Sequence, residues 1–122
     1  MTAKEIRSEG EALDIYARQG KTLQFTVFWK DDEDDAIDLA GFSARLQVRR
    51  TGEEEPVISL TSSTGLTITA ATGRIDVLVS ATTLAGIDPG RYRYDLEVQS
   101  GSSGTVTGLL YGRFFVNEET TK

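Results

Sequence analysis

LQFTVFWKDDEDDAIDLAGFSARLQVRR, residues 23–50, is the stretch that decides the fold class of this chain. Apolar and polar residues alternate at both of its ends, and a period of two predicts β-strands rather than helices. Five consecutive acidic residues, at positions 31–35, separate the two alternating runs. The stretch therefore predicts a strand that ends near Trp29, an acidic loop, and a second strand that begins near Phe42.

Six further segments show the same strand-like pattern. Residues typical of tight turns separate them at intervals of about 8–12 positions, a spacing found in all-β sandwiches and barrels. A single helical turn is predicted near residues 81–86, because Ser80 is a suitable N-cap for the sequence ATTLAG. The segments are ALDIYA, VISL, GLTITA, RIDVLVS, RYRYDLEVQ and VTGLLYGRFFV. The prediction is an all-β protein, an antiparallel β-sandwich or barrel of about eight strands.

A chain of 122 residues is long enough to bury one hydrophobic core. We expect one domain over residues 9–118, a flexible N-terminal tail at residues 1–8 and a flexible C-terminal tail at residues 119–122. The formal net charge of −6 argues against nucleic-acid binding, which needs concentrated Lys and Arg. No apolar run approaches the ~20 residues that span a bilayer. Neither nucleic acid nor membrane is therefore an expected partner.

The acidic residues at positions 31–35 do not match the common calcium-binding pattern. An EF-hand loop needs glycine at its sixth position and glutamate at its twelfth, whereas counting from Asp31 places Ala36 and Phe42 there. We expect a solvated loop with no metal requirement, and a weak, non-standard cation site is the alternative.

The composition offers little for catalysis. Histidine and cysteine are absent, which removes the commonest general base and the commonest transition-metal ligand. Neighbouring acids in one loop are solvated alike, so they do not provide the two different carboxylates that glycoside hydrolysis needs. The sequence predicts a non-enzymatic protein with no catalytic residue, no metal and no cofactor.

Three stretches resemble a group of small bacteriophage virion proteins and the immunoglobulin-like N-terminal modules of phage baseplate and tail proteins. They are QGKTLQFTVFWKDDEDDAIDLAGFSARLQVRR, GLTITAATGRIDVLVSATTLAGIDPGRYRYDLEV and LLYGRFFV. The resemblance runs from residue 19 to residue 116 and implies an immunoglobulin-like β-sandwich. It also implies a structural protein of a phage particle, in the tail or baseplate, that acts through contacts with other virion proteins. Such a protein joins the virion in the cytoplasm of the bacterial host.

Two alternative functions stay open beside this one. A head decoration protein on the capsid belongs to the same structural class and is equally compatible with these residues. A carbohydrate-binding module would need several exposed aromatic residues on one face, and the sequence offers Phe28, Tyr111 and Phe115.

Three aromatic residues are expected in the structural core. Trp29 lies at the inward position of its strand, as do Tyr92 and Tyr94 in RYRYDLEVQ. In an immunoglobulin-like fold one of the two tyrosines would turn its hydroxyl onto the backbone near Leu84 and form a tyrosine corner. The alternative is that both tyrosines are ordinary amphipathic strand residues.

Two strands carry apolar residues on both faces. In LLYGRFFV, Tyr111 and Phe115 lie on the outward face, and Phe28 interrupts the polar face of its own strand. A sheet with one wet face alternates cleanly, so this second face should be covered. The cover is either the N-terminal segment around residues 13–15 or another subunit. We expect a homo-oligomer, or a contact with another virion protein, through Phe28, Tyr111 or Phe115.

Overall fold

The computed structural model describes residues 2–7 and 10–118, which form two β-sheets. The smaller sheet has the strand order β1-β4-β8-β7, and the larger has the order β2-β10-β9-β5-β6, with β3 also paired to β10. The strands are β1 Thr2–Ile6, β2 Glu11–Ala12, β3 Ile15–Arg18, β4 Leu23–Trp29, β5 Phe42–Arg50, β6 Pro56–Thr61, β7 Leu66–Thr69, β8 Arg74–Val79, β9 Gly90–Ser100 and β10 Val106–Asn117. A 3-10 turn spans Ala70–Thr72, and helix α1 spans Ala81–Ala85. No helix in the described part of the chain is long and apolar enough to cross a membrane.

Side chains that point inwards from both sheets form one hydrophobic core. In β5, Ala44, Leu46 and Val48 are buried, while Ser43 and Arg45 are exposed. The corresponding inward residues of β8 and β9 are Ile75, Val77, Val79, Tyr92, Tyr94, Leu96 and Val98. Because successive strand residues face opposite sides, this burial confirms the all-β sandwich and the predicted faces of these three strands.

Gly73 makes the turn between β7 and β8 possible. Its φ of 62° lies in the left-handed region, which favours glycine. Its carbonyl oxygen accepts a hydrogen bond of 2.8 Å from the backbone N–H of Trp29. A Cβ at position 73 would lie 2.5 Å from the carbonyl oxygen of Trp29, so a side chain here would push the turn away from β4.

Helix α1 and the start of β9 carry the chain from the smaller sheet to the larger. The hydroxyl of Ser80 accepts a hydrogen bond of 3.1 Å from the backbone N–H of Thr83, which confirms the predicted N-cap. The hydroxyl of Tyr92 donates a hydrogen bond of 2.6 Å to the carbonyl oxygen of Asp88. This bond is a tyrosine corner of the kind found in immunoglobulin-like sandwiches. The corner is thus formed by Tyr92, and its acceptor lies four residues beyond Leu84.

The predicted flexible tail at residues 1–8 is wrong for residues 2–6. These residues form β1, which runs parallel to β4 and places Ile6 beside Trp29. Ile6 is fully buried, so this strand belongs to the core of the domain. One inward apolar residue is too weak a pattern for sequence periodicity to reveal. Residues 1, 8 and 9, and the predicted C-terminal tail at residues 119–122, lie outside the described part of the chain.

Strand β10 departs from regular alternation near its start. Its pairing with β9 shifts between Gly108 and Leu110, because Leu109 is an extra residue held in a β-bulge. Leu109 and Leu110 are both buried as a result. Ten strands, rather than about eight, are present among the described residues, since ALDIYA forms two short strands and β1 adds another.

Candidate interaction surface

The three aromatic residues predicted for an interface lie on two different surfaces. Tyr111 and Phe115 are on the outer face of the larger sheet, in β10. Phe28 is half-buried on the outer face of the smaller sheet, where the guanidinium of Arg74 lies 5.8 Å from the centroid of its ring. The outer faces of a sandwich point in opposite directions. One contact surface can therefore contain Tyr111 and Phe115 but not Phe28.

The outer face of the larger sheet holds a further aromatic residue that the sequence analysis missed. The ring of Tyr16, in β3, stacks on the ring of Phe115 with centroids 4.9 Å apart and planes 9° from parallel. Tyr16 is 66% exposed and Tyr111 is 51% exposed. Alternation in ALDIYA puts Tyr16 and Ile15 on opposite faces of one strand, but it cannot show that this strand pairs with β10. We call Tyr16, Tyr111 and Phe115 the aromatic patch.

The N-terminal segment extends the larger sheet instead of covering its outer face. Strands β2 and β3 run parallel to β10 at the edge of the sheet. Ile15 is buried in the core, while Leu13 is half-buried. The alternative in which this segment covers the outer face is therefore wrong, apart from the stacking of Tyr16 on Phe115.

Two side chains attach the N-terminal segment to the sheet at the break between β2 and β3. The hydroxyl of Tyr94 donates a hydrogen bond of 2.6 Å to the carbonyl oxygen of Leu13. The carboxylate of Asp14 accepts one of 3.1 Å from the backbone N–H of Arg113. Burial, and to a smaller extent the charge of Asp14, raises the pKa of Tyr94 well above its ordinary value, so the phenol stays protonated as a donor. Tyr94 is thus a core residue that also positions the segment carrying Tyr16.

Trp29 closes one end of the core. It is half-buried, and its ring packs edge-on against Phe42 with centroids 6.3 Å apart and planes at 82°. Since β4 and β5 belong to different sheets, this contact joins the two sheets at the rim of the sandwich. Tyr92 and Tyr94 are more deeply buried, at 1% and 4% exposure.

The acidic loop, residues 31–35, is an exposed turn with a defined geometry. The carboxylate of Asp31 accepts hydrogen bonds from the backbone N–H groups of Glu33 at 2.9 Å and of Asp35 at 3.0 Å. Asp34 lies 2.7 Å from the guanidinium of Arg7. The predicted solvated loop is confirmed. Within residues 2–7 and 10–118, no group of three or more His, Cys, Asp or Glu side chains is placed to hold a metal ion.

A small polar cluster lies on the outer face of the smaller sheet. The hydroxyl of Thr26 donates a hydrogen bond of 2.7 Å to the carboxylate of Asp76, and Nε of Arg74 donates to the same carboxylate at 3.0 Å. Burial would raise the pKa of Asp76, but the hydrogen bonds from Arg74 and Thr26 outweigh it and hold that pKa below its ordinary value. An aspartate kept ionised by two donors is an acceptor, so this cluster links β4 to β8 and is not a source of protons.

Comparison with known proteins identifies the fold of this chain but does not assign it to a family. No protein-family model matches the chain, and no curated protein matches it. The chain is similar in structure to the N-terminal domain of phage TP901-1 ORF48, with a TM-score of 0.55 and 12% identity, over 96% of this chain and 99% of that one. It is also similar to a chicken TCR, with a TM-score of 0.54 and 14% identity, over 96% of this chain and 56% of that one. Identities this low show a shared fold alone, and that fold is the immunoglobulin-like β-sandwich.

Proposed function

We propose that the chain is a non-enzymatic structural component of a phage particle, in its tail or baseplate, that works through protein–protein contacts. The observation that carries the proposal is the aromatic patch on the outer face of the larger sheet. Aromatic residues grouped on an exposed face are typical of interaction surfaces. The similarity in fold to the N-terminal domain of a phage protein, over nearly the whole length of both chains, supports a role in a virion.

The geometry of the patch favours a protein partner over a sugar. A sugar ring stacks on the open face of an aromatic ring, but one face of Phe115 is already covered by Tyr16. Tyr111 lies four residues away from Phe115 along β10, on the same face of the strand. Tyr and Phe are enriched in protein interfaces, so this face suits another protein chain.

Mass spectrometry of purified particles of the phage that carries the gene tests the proposed function. We expect peptides of this chain in intact particles, and in isolated tails rather than in isolated heads. Particles that lack the chain would contradict the proposal. Peptides confined to heads would instead assign the chain to the capsid, as a decoration protein.

Variants of the aromatic patch test whether this surface makes the contact. Tyr111→Glu and Phe115→Glu should be lost from particles while circular dichroism shows a folded domain, because a buried charge disrupts an interface that folding does not require. Leu78→Glu is the matched control, since Leu78 is an apolar residue of the opposite sheet with 43% exposure. It should enter particles as the wild type does. Equal incorporation of all three variants would exclude the aromatic patch as the contact.

A further inference from the structure

Three arginines form one row across the outer face of the larger sheet. Arg93 of β9 pairs with Arg49 of β5 on one side and with Arg113 of β10 on the other. Residues paired directly across neighbouring strands point to the same face. Like charges in this position destabilise a sheet, so the arrangement lowers the stability of the isolated domain. We call these three residues the arginine row.

Acidic residues on this face neutralise only part of the arginine row. Asp95 lies 3.8 Å from Arg49, and Glu97 is paired with an arginine of β5 outside the row. Arg93 and Arg113 are exposed and form no ion pair with any of residues 2–7 or 10–118. Among the described residues, the guanidinium groups of Arg93 and Arg113 are therefore without a carboxylate at ion-pair distance.

The arginine row adjoins the aromatic patch. Tyr111 and Phe115 lie two residues before and two residues after Arg113, so the three side chains share one face of β10. Arginine and aromatic residues are the types that dominate the centres of protein interfaces. Guanidinium groups bind carboxylates through paired hydrogen bonds. This face is therefore suited to a partner that presents carboxylates.

The acidic loop of the chain itself presents such carboxylates. Its turn is fixed by Asp31, and the side chains of Asp32, Glu33 and Asp35 are exposed. Of the five acids, Asp34 is the one that forms ion pairs with basic side chains in the described part of the chain. The loop thus carries the negative charge that would neutralise the arginine row. Because its turn is already fixed, binding would order little additional backbone.

The acidic loop and the arginine row of one molecule lie too far apart to meet. The loop leads into β5 at Phe42, and Arg49 lies seven residues further along that strand. A rise of about 3.3 Å per residue separates the two positions by about 23 Å. A contact between them must join two molecules. Each row can bind the loop of the same partner in a two-fold dimer, or the contact is heterologous and closes into a ring or continues as a filament.

We propose that the arginine row of one molecule binds the acidic loop of a second copy of this chain. The inference rests on the proposed assembly function and names the partner for it. A second copy is the partner we choose because one sequence supplies both the exposed arginines and the exposed carboxylates. Nucleic acid is a poorer partner for this face, because phosphate binding needs more concentrated Lys and Arg than the three arginines of the row supply.

Two variants test the pairing, and each removes one side of it. Arg93→Glu reverses the charge at the centre of the arginine row and leaves the acidic loop intact. Asp32→Lys combined with Glu33→Lys reverses the charge at two exposed positions of the acidic loop, keeps the arginine row, and retains Asp31 to hold the turn. In sedimentation velocity at about 50 mM salt the wild type should form oligomers. Each variant alone should sediment as a monomer, with an affinity at least about tenfold weaker.

Mixing the two variants gives the decisive result. The loop of Arg93→Glu can still bind the row of the Asp32→Lys, Glu33→Lys chain, so an equimolar mixture should form a one-to-one heterodimer. Any larger complex would join the altered row to the altered loop, whose exchanged charges are again opposite, so it would support the pairing as well. Raising the salt to about 0.5 M should dissociate the wild-type oligomer, since exposed charges are then screened.

One matched control keeps the positive charge at position 93, and the other places the loop's charge change at a different acidic stretch. Arg93→Lys keeps the charge but loses the paired hydrogen bonds, so its affinity should lie between those of the wild type and Arg93→Glu. Glu53→Lys combined with Glu55→Lys makes the same charge change in another exposed acidic stretch, and it should assemble like the wild type. Circular dichroism of every variant should match that of the wild type.

Three results would overturn the inference. The first is a wild type that stays monomeric, and the second is a mixture of folded variants that forms no heterodimer. The third is binding of a labelled single-stranded oligonucleotide that depends on Arg93, which would assign the arginine row to nucleic acid. None of these results bears on the presence of the chain in phage particles, so the proposed function can stand where the pairing fails.

Discussion

Replacing Tyr94 with phenylalanine tests whether one side-chain hydrogen bond attaches the N-terminal segment to the sandwich. The hydroxyl donates a bond of 2.6 Å to the carbonyl oxygen of Leu13, at the break between β2 and β3. A hydrogen bond contributes about 0.5–1.5 kcal/mol net, and a buried carbonyl left without a donor costs about 1–3 kcal/mol. Because Leu13 is half-buried, water replaces part of that loss. We expect Tyr94→Phe to lower the free energy of unfolding by about 1–2 kcal/mol.

Tyr92→Phe is the matched control for this measurement. It removes a hydroxyl with the same 2.6 Å bond length, but the acceptor is Asp88, within the turn that precedes β9. Urea unfolding gives the stability of both variants, and native-state hydrogen exchange locates the change. Exchange at the N–H of Leu13 and along β3 should accelerate in Tyr94→Phe and stay unchanged in Tyr92→Phe. A loss below about 0.3 kcal/mol with unchanged exchange would refute the reasoning, since the strand ladder alone would then hold the segment.

Three further predictions concern the core, the acid response and the acidic loop. Trp29→Ala should lower the free energy of unfolding by about 3 kcal/mol, because the ring lies at the rim of the core. This value is the lower end of the range for buried aromatics. A loss below about 1 kcal/mol in urea unfolding would show that Trp29 does not contribute to the core. Asp76→Asn should lower the melting temperature at neutral pH. That difference from the wild type should be fully present above the ordinary carboxyl pKa of 3.8 and disappear as the pH falls through the lowered pKa of Asp76, because only the ionised form is stabilised. Chelator and millimolar calcium should leave the melting temperature unchanged; a rise with calcium that Asp31→Asn and Asp35→Asn together abolish would show a cation site.

Alternation along the sequence predicted the strands in which the residues of the strand itself show which side chains are buried. In β5, β8 and β9 apolar residues recur at every second position through the middle of each strand, so the sequence alone shows which face is inside. Strand β1 has only Ile6 as a buried apolar residue, and its place depends on parallel pairing with a strand more than twenty positions away. Such pairing leaves no periodic pattern of apolar residues in the sequence. Residues 2–6 were therefore predicted to be part of a flexible tail.

The candidate surface was predictable only in part for a related reason. Tyr111 and Phe115 stood out because they interrupt the polar face of a strand, and the structure shows them together on one surface. Phe28 stood out by the same rule but belongs to the other sheet. Sequence alternation assigns a residue to a face of its own strand. It does not say which sheet that strand joins, nor which neighbour it meets.

The arginine row shows how far a surface can differ from the net charge of its chain. Arg49, Arg93 and Arg113 are far apart in sequence, and only strand register brings them together. The bulge at Leu109 decides that register on β10. If Leu109 were paired in the ladder in place of Leu110, every later residue would move by one position, and Arg113 would point into the core. The bulge therefore buries two leucines and turns Arg113 outwards together with Tyr111 and Phe115. The part of this basic, aromatic face that β10 supplies depends on one unpaired residue.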